Sequence, residues 1–157
     1  MTLSHFDTEG RPKMVDVGTK PATSRTAVAE GSIRMSDKAF EAVTEHRTPK
    51  GDVLTTAELA GTMGAKRTPD LIPLCHPIAL EHVRVTAELV PELPGVRVRA
   101  EAKAVGKTGV EMEALTAVSV ALLTVYDMVK ATGHGMELGE IRLLEKTGGS
   151  KGDWKRT

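Results

Sequence analysis

The clearest pattern along the chain is a pair of alternating runs. Val83, Val85, Ala87 and Leu89 share one face of the first, and Val96, Val98, Ala100 and Ala102 share one face of the second. The connection "PELPG" is rich in turn formers, so the two runs predict a β-hairpin. The polar positions support the register: Glu88 falls opposite Arg97 and Arg84 opposite Glu101, as cross-strand charge pairs. Thr26–Met35 alternates more loosely and predicts another strand. Ser36 can cap a helix reaching about His46. After the turn "TPKGD", Val53, Leu54, Ala57, Ala60 and Met63 recur at helical spacing and predict a helix over about Asp52–Ala65. "TPDLIPLCHP" holds three prolines, Pro69, Pro73 and Pro77, and predicts a stiff, extended loop without regular structure. "IRLL" predicts a last strand.

The longest apolar run, Ala114 to Tyr126, has 13 residues with Thr and Ser inside it. It predicts a buried helix over about Met112–Ala131, ended by Gly133 and Gly135. The order β-α-α-β-β-α-β favours an α+β fold, an antiparallel sheet with its helices on one face. The long helix is apolar nearly all round, more than one sheet face covers, which points to a second subunit. On it Glu113 and Asp127 lie about 40° apart around the axis and about 21 Å apart along it. Between them Thr116, Ala117, Val120 and Thr124 are small enough for another helix to approach closely. An antiparallel pairing of two copies near Val120 would bring Glu113 of one to Asp127 of the other.

Composition narrows the class. The 157 residues suit one domain, with residues 1–13 loose and 146–157 a mobile Gly/Lys-rich tail. Aromatic residues are only 3%, too few for stacking platforms for single-stranded nucleic acid. Lys plus Arg equals Asp plus Glu at 21 each, which argues against a general nucleic-acid or membrane-surface binder. Cys75 is the one cysteine, so no internal disulfide forms and a reducing compartment fits. "MTLSHFDTEG" is not a signal peptide, and 13 apolar residues fall short of the roughly 20 that span a bilayer. A cytoplasmic enzyme or binding domain is expected.

The candidate chemistry is sparse. "GKT" at Gly106–Thr108 is no phosphate loop, because Glu101 stands where the motif needs its first glycine. As a turn entering a helix, its free N–H groups can still meet a phosphate. Cys75 and His76 point to opposite faces of an extended chain and cannot pair as nucleophile and base. They also lack the spacing of a zinc site. His76 reads either as structural or as an imidazole pre-set by the proline loop. Asp127 and Lys130, one turn apart, read either as a surface ion pair or as an acid–base pair with shifted pKa values. Glu111 and Glu113 suit the helix dipole, yet point to nearly opposite sides. Lys20, Arg25, Lys50, Lys66, Arg67, Lys107, Lys130, Lys146 and Lys151 lie in or beside loops and element ends. A cluster of them would suit a triphosphate.

Four separated blocks, "KGDVLTTAELAG", "AKRTPDLIPLCHP", "GKTGVEMEALTAVSVALLTVYDMVKA" and "IRLLEKTGGSKGD", resemble the MoaC family of molybdenum cofactor biosynthesis, the cyclic pyranopterin monophosphate synthases. The resemblance runs from "MVDV" to "GGSKGD". It implies a ferredoxin-like α+β fold and a hexamer of three dimers with pockets between subunits. The substrate it implies is 3′,8-cyclo-7,8-dihydroguanosine triphosphate, converted to cyclic pyranopterin monophosphate with release of pyrophosphate. Asp127, Lys50 and Lys130 match the family's catalytic positions, and His76 is a further proton-transfer candidate. Leu74, Cys75, His76, Met112 and Glu113 match its substrate-binding blocks. Glu111, Lys20, Arg25, Lys66, Arg67 and Lys146 join them as candidates, the cations for the phosphates. No cofactor is expected beyond Mg²⁺ accompanying the triphosphate, and no metal ligands, nucleic acid or membrane partner. The alternative is a non-catalytic, nucleotide-binding regulatory domain of ferredoxin-like fold.

Overall fold

The computed structural model describes residues 5–157. Its elements run β1 (Thr23–Arg34), α1 (Asp37–Thr44), α2 (Val53–Lys66), α3 (Thr68–Leu71), β2 (His82–Val90), β3 (Gly95–Gly106), α4 (Glu111–Val129), β4 (Glu137–Thr147) and β5 (Trp154–Lys155). A single turn of 3-10 helix, Lys130–Thr132, extends α4. The strands form one sheet in the order β2-β3-β1-β4-β5, and every neighbouring pair is antiparallel. This is an α+β fold, consistent with a ferredoxin-like arrangement.

Local chemistry sets the elements. Ser36 and Asp52 sit just before α1 and α2, and their side chains accept from the backbone N–H groups of Ala39 and Thr55. The hairpin has the expected register, Arg84 opposite Glu101 and Glu88 opposite Arg97. The Glu88–Arg97 pair closes at 3.5 Å, whereas Glu101 turns to Lys103 at 2.9 Å on its own strand. Two expectations need correction. Thr68–Leu71, inside the proline stretch, is a one-turn helix with Pro69 in its first turn, where a missing N–H costs nothing. The tail is not all loose, since Trp154 and Lys155 pair with Lys146 and Glu145 of β4. The order therefore gains α3 and β5.

The inner face of the sheet is lined by small side chains. Ala27, Ala29, Ala100, Ala102 and Ala104 are buried, and they let α4 settle close. Its Ala114, Ala117, Val118, Ala121, Leu122 and Val125 have no exposed surface at all. Glu111–Thr132 is long and apolar enough by composition to cross a membrane, but here it is the helix around which the core is built.

The helix that approaches α4 through its small residues is α2 of the same chain. A Cβ on Gly61 would lie 2.9 Å from the Ala117 carbonyl oxygen and 3.2 Å from the Ala121 Cβ. A Cβ on Gly64 would lie 2.8 Å from Val120. The expected seam between two copies around Val120 is thus overturned, because α2 occupies that face. Gly61→Ala should force these helices apart. The expected loss is about 1–3 kcal/mol, or several degrees in thermal midpoint. A melting curve matching that of the unmodified chain would show that the contact yields at no cost.

Candidate functional site

The candidate residues gather into two groups, one at each end of α4. At its N-terminal end lies a cleft of about 660 Å³. The chain before β1 supplies Val15, Val17 and Lys20, and the start of β1 supplies Arg25. Leu74, Cys75 and His76 come from the segment after α3. The turn from β3 into α4 adds Lys107, Thr108 and Gly109, with Glu111 and Met112 from the first helical turn. The end of β4 and the loop after it add Lys146 through Lys151.

The charges are unbalanced. Lys146 pairs with Glu111 at 2.7 Å. Lys20, Arg25, Lys107 and Lys151 have no carboxylate partner among the described residues. Lys107 Nζ donates instead to the Gly18 carbonyl at 2.7 Å, and Arg25 Nε to the Gly106 carbonyl at 3.4 Å. Four cations lining one cleft without a carboxylate partner among the described residues make a seat for a polyanion.

His76 is held 2.7 Å, through Nε2, from the Val15 carbonyl oxygen. A carbonyl only accepts, so Nε2 carries the proton. In the neutral ring Nδ1 is then the free acceptor, as a general base requires.

Behind the cleft, Cys75 Sγ donates to Glu113 Oε1 at 3.9 Å. Glu113 is 1% exposed and does not line the cleft. Its Oε2 is buried without a partner. Burial is the main cause pushing the Glu113 carboxyl above the ordinary glutamate value, and the negative charge of Glu111 adds to it. The Cys75 thiol is pushed up by burial and then by Glu113. A carboxyl with a raised folded-state pKa is stabilising below its ordinary value, and that benefit is lost as pH rises through the raised value. Glu113→Gln is therefore expected to be more stable than the unmodified chain at neutral pH, by about 1–3 kcal/mol. The two melting curves should converge below about pH 4. A difference that persists in acid would rule out the carboxylate charge as its source.

At the other end of α4, Asp127 Oδ2 meets Lys50 Nζ at 2.5 Å and its Oδ1 meets Lys130 Nζ at 2.7 Å. Lys50, in the turn between α1 and α2, also donates to the Asp127 carbonyl at 3.1 Å. Lys130 first, and Lys50 next, hold the Asp127 carboxyl down to about 2. In return Asp127 raises the Lys130 ammonium. At neutral pH Asp127 is therefore ionised and Lys130 protonated, with a proton it can donate as an acid.

The structure thus brings together Lys20, Arg25, Leu74, Cys75, His76, Glu111, Met112 and Lys146. Lys50, Asp127 and Lys130 stand apart from them. Lys66 and Arg67, at the end of α2, are exposed and do not line the cleft, and Arg67 pairs with Asp70 at 3.4 Å. Lys107 and Lys151 belong to the site but looked like scattered surface charge in the sequence. For Lys107 the "GKT" turn is the available signal, and its Lys107 and Thr108 do line the cleft.

The MoaC family model matches residues 14–149. The cyclic pyranopterin monophosphate synthase of Brucella ovis is 57% identical over 152 residues, 97% of this chain and 92% of the relative. The protein of that name from Cereibacter sphaeroides is 60% identical over 150 residues, 96% of this chain and 94% of the relative. With a family match over most of its length and relatives this similar along nearly all of it, the chain belongs to the MoaC family.

Proposed function

We propose that the chain is a cyclic pyranopterin monophosphate synthase of molybdenum cofactor biosynthesis, acting in the cytoplasm. It converts 3′,8-cyclo-7,8-dihydroguanosine triphosphate into cyclic pyranopterin monophosphate and pyrophosphate. The observation that carries this reading is the set of unpaired cations, Lys20, Arg25, Lys107 and Lys151, around one cleft. A triphosphate is the polyanion they suit, with Mg²⁺ accompanying it as part of the substrate. Closing the cyclic phosphate places a substrate oxygen on the α-phosphorus and expels pyrophosphate. Cations fixed around the leaving group stabilise the charge that develops there. His76, with Nδ1 free, is a base for the ring rearrangement.

The remaining proton transfers fall to Lys50, Asp127 and Lys130. Asp127, which holds both lysines, lies about 21 Å along α4 from Glu113, too far for one small substrate to reach. The reading therefore includes a second copy that brings this triad to the cleft, within dimers and, as the family resemblance implies, a hexamer. Exposed apolar side chains on the helical layer, Leu59 (63%), Met63 (60%) and Leu123 (58%), support coverage by another chain. The test is to incubate the chain with the cyclo-dihydro-GTP intermediate and assay pyrophosphate. Binding without pyrophosphate release would make it a regulatory nucleotide-binding module instead.

A further inference from the structure

The loop after β4 does more than close the cleft. Gly148 and Gly149 both have left-handed φ, +85° and +89°. At Gly149 there is a second constraint. A Cβ built there would overlap Arg25 Nη1 outright and lie 2.9 Å from Cζ. The backbone of Gly149 therefore lies directly against the guanidinium. On the other side of β1, the end of β3 offers the Gly106 carbonyl, which accepts from Arg25 Nε at 3.4 Å. Arg25 is thus held between two backbone segments, has no carboxylate partner among the described residues, and faces the cleft.

We propose that Gly149 is a positioning residue whose missing side chain fixes the Arg25 guanidinium as a preset fork for a phosphate group. This rests on the polyanion reading above. An arginine already fixed in plane gives up less freedom on binding than one swinging in solvent. Gly152 offers a control. It too has left-handed φ, +71°, but a Cβ there meets nothing within 4 Å. Alanine at 152 strains the same loop without touching Arg25.

The probe is inorganic tripolyphosphate, titrated calorimetrically into the full chain, with thermal melts to confirm folding of each variant. Arg25→Ala should weaken binding about tenfold or more, as loss of a charge-assisted contact does. Gly149→Ala should weaken it by a similar factor, and the double variant no further than Arg25→Ala alone. Gly152→Ala should bind like the unmodified chain. The Nε–H resonance of Arg25 should be sharp and protected in the unmodified chain and exchange-broadened in Gly149→Ala. The proposal is overturned if Gly149→Ala binds normally, if Gly152→Ala loses as much, or if the double variant loses a further factor. An unchanged Arg25 resonance in Gly149→Ala would overturn it whatever the binding does. If the unmodified chain binds no tripolyphosphate, the polyanion reading itself fails, and the role of Gly149 in it goes too.

Discussion

Lys130→Ala is expected to lower turnover by about 10²- to 10⁴-fold, the usual cost of losing a positioned proton donor. The protein should still fold, because the Asp127–Lys130 pair is exposed and the side chain holds no part of the core. Asp127 raises the Lys130 ammonium above the ordinary lysine value, so the proton is in place throughout the neutral range. A lysine acting as an acid loses its function only as pH rises through that raised value. Asp127→Asn removes the carboxylate charge, so it should bring any alkaline decline in rate to lower pH. Lys130→Arg separates two roles. Arginine keeps the charge and the partner but does not release its proton. If Lys130 donates a proton, the Arg variant should be nearly as slow as the Ala variant. If it only supplies charge, Arg should restore most of the rate. Near-native turnover of Lys130→Ala would return the lysine to a surface ion pair.

What the sequence could reveal followed the range of the physics behind it. Caps and alternation are local, so the Ser36 cap and the hairpin register are readable from the chain, while Asp52, expected inside the second helix, caps it from just outside. The partner of Glu101 was not, because Lys103, two residues away on the same strand face, competes with the cross-strand Arg84. The helix at Thr68–Leu71 is hidden in the sequence because three nearby prolines argue against regular structure, although Pro69 sits in a first turn that tolerates it. The two-residue β5 is too short to carry a pattern. The small face of α4 correctly announced a close helix, but periodicity is silent on which chain supplies it. Most of the site is longer in range still. Nothing in the spacing of Lys20, Arg25, Lys107 and Lys151 says that they meet around one cleft. Glu113 matches a substrate-binding block by position, and its burial behind Cys75 is a tertiary fact that no local pattern carries.

Mixing two inactive variants should restore activity if the site is shared between copies. His76→Ala disables the cleft, and Asp127→Ala disables the triad at the far end of α4. After subunit exchange, random pairing makes half the dimers mixed. Each mixed dimer has one site with both defects and one with neither. About a quarter of native activity should therefore return from two preparations that have none alone. The reciprocal mixture gives an independent number. Unmodified chain is exchanged with an equal amount of the His76→Ala/Asp127→Ala double variant. In a shared arrangement both sites of every mixed dimer are spoiled, so about a quarter of the sites remain active. If each chain carried its own complete site, half would remain. The two mixtures together distinguish the arrangements by twofold in one case and by all or nothing in the other. Because α2 covers the Val120 face of α4, the second copy must dock elsewhere, and the exposed Leu59, Met63 and Leu123 mark the surface to test. A charged residue there, as in Met63→Glu, should break the pairing and the activity together while leaving the single chain folded. Retained activity in a variant shown to be monomeric would put cleft and triad chemistry within one chain, contrary to the roughly 21 Å of helix that separates them.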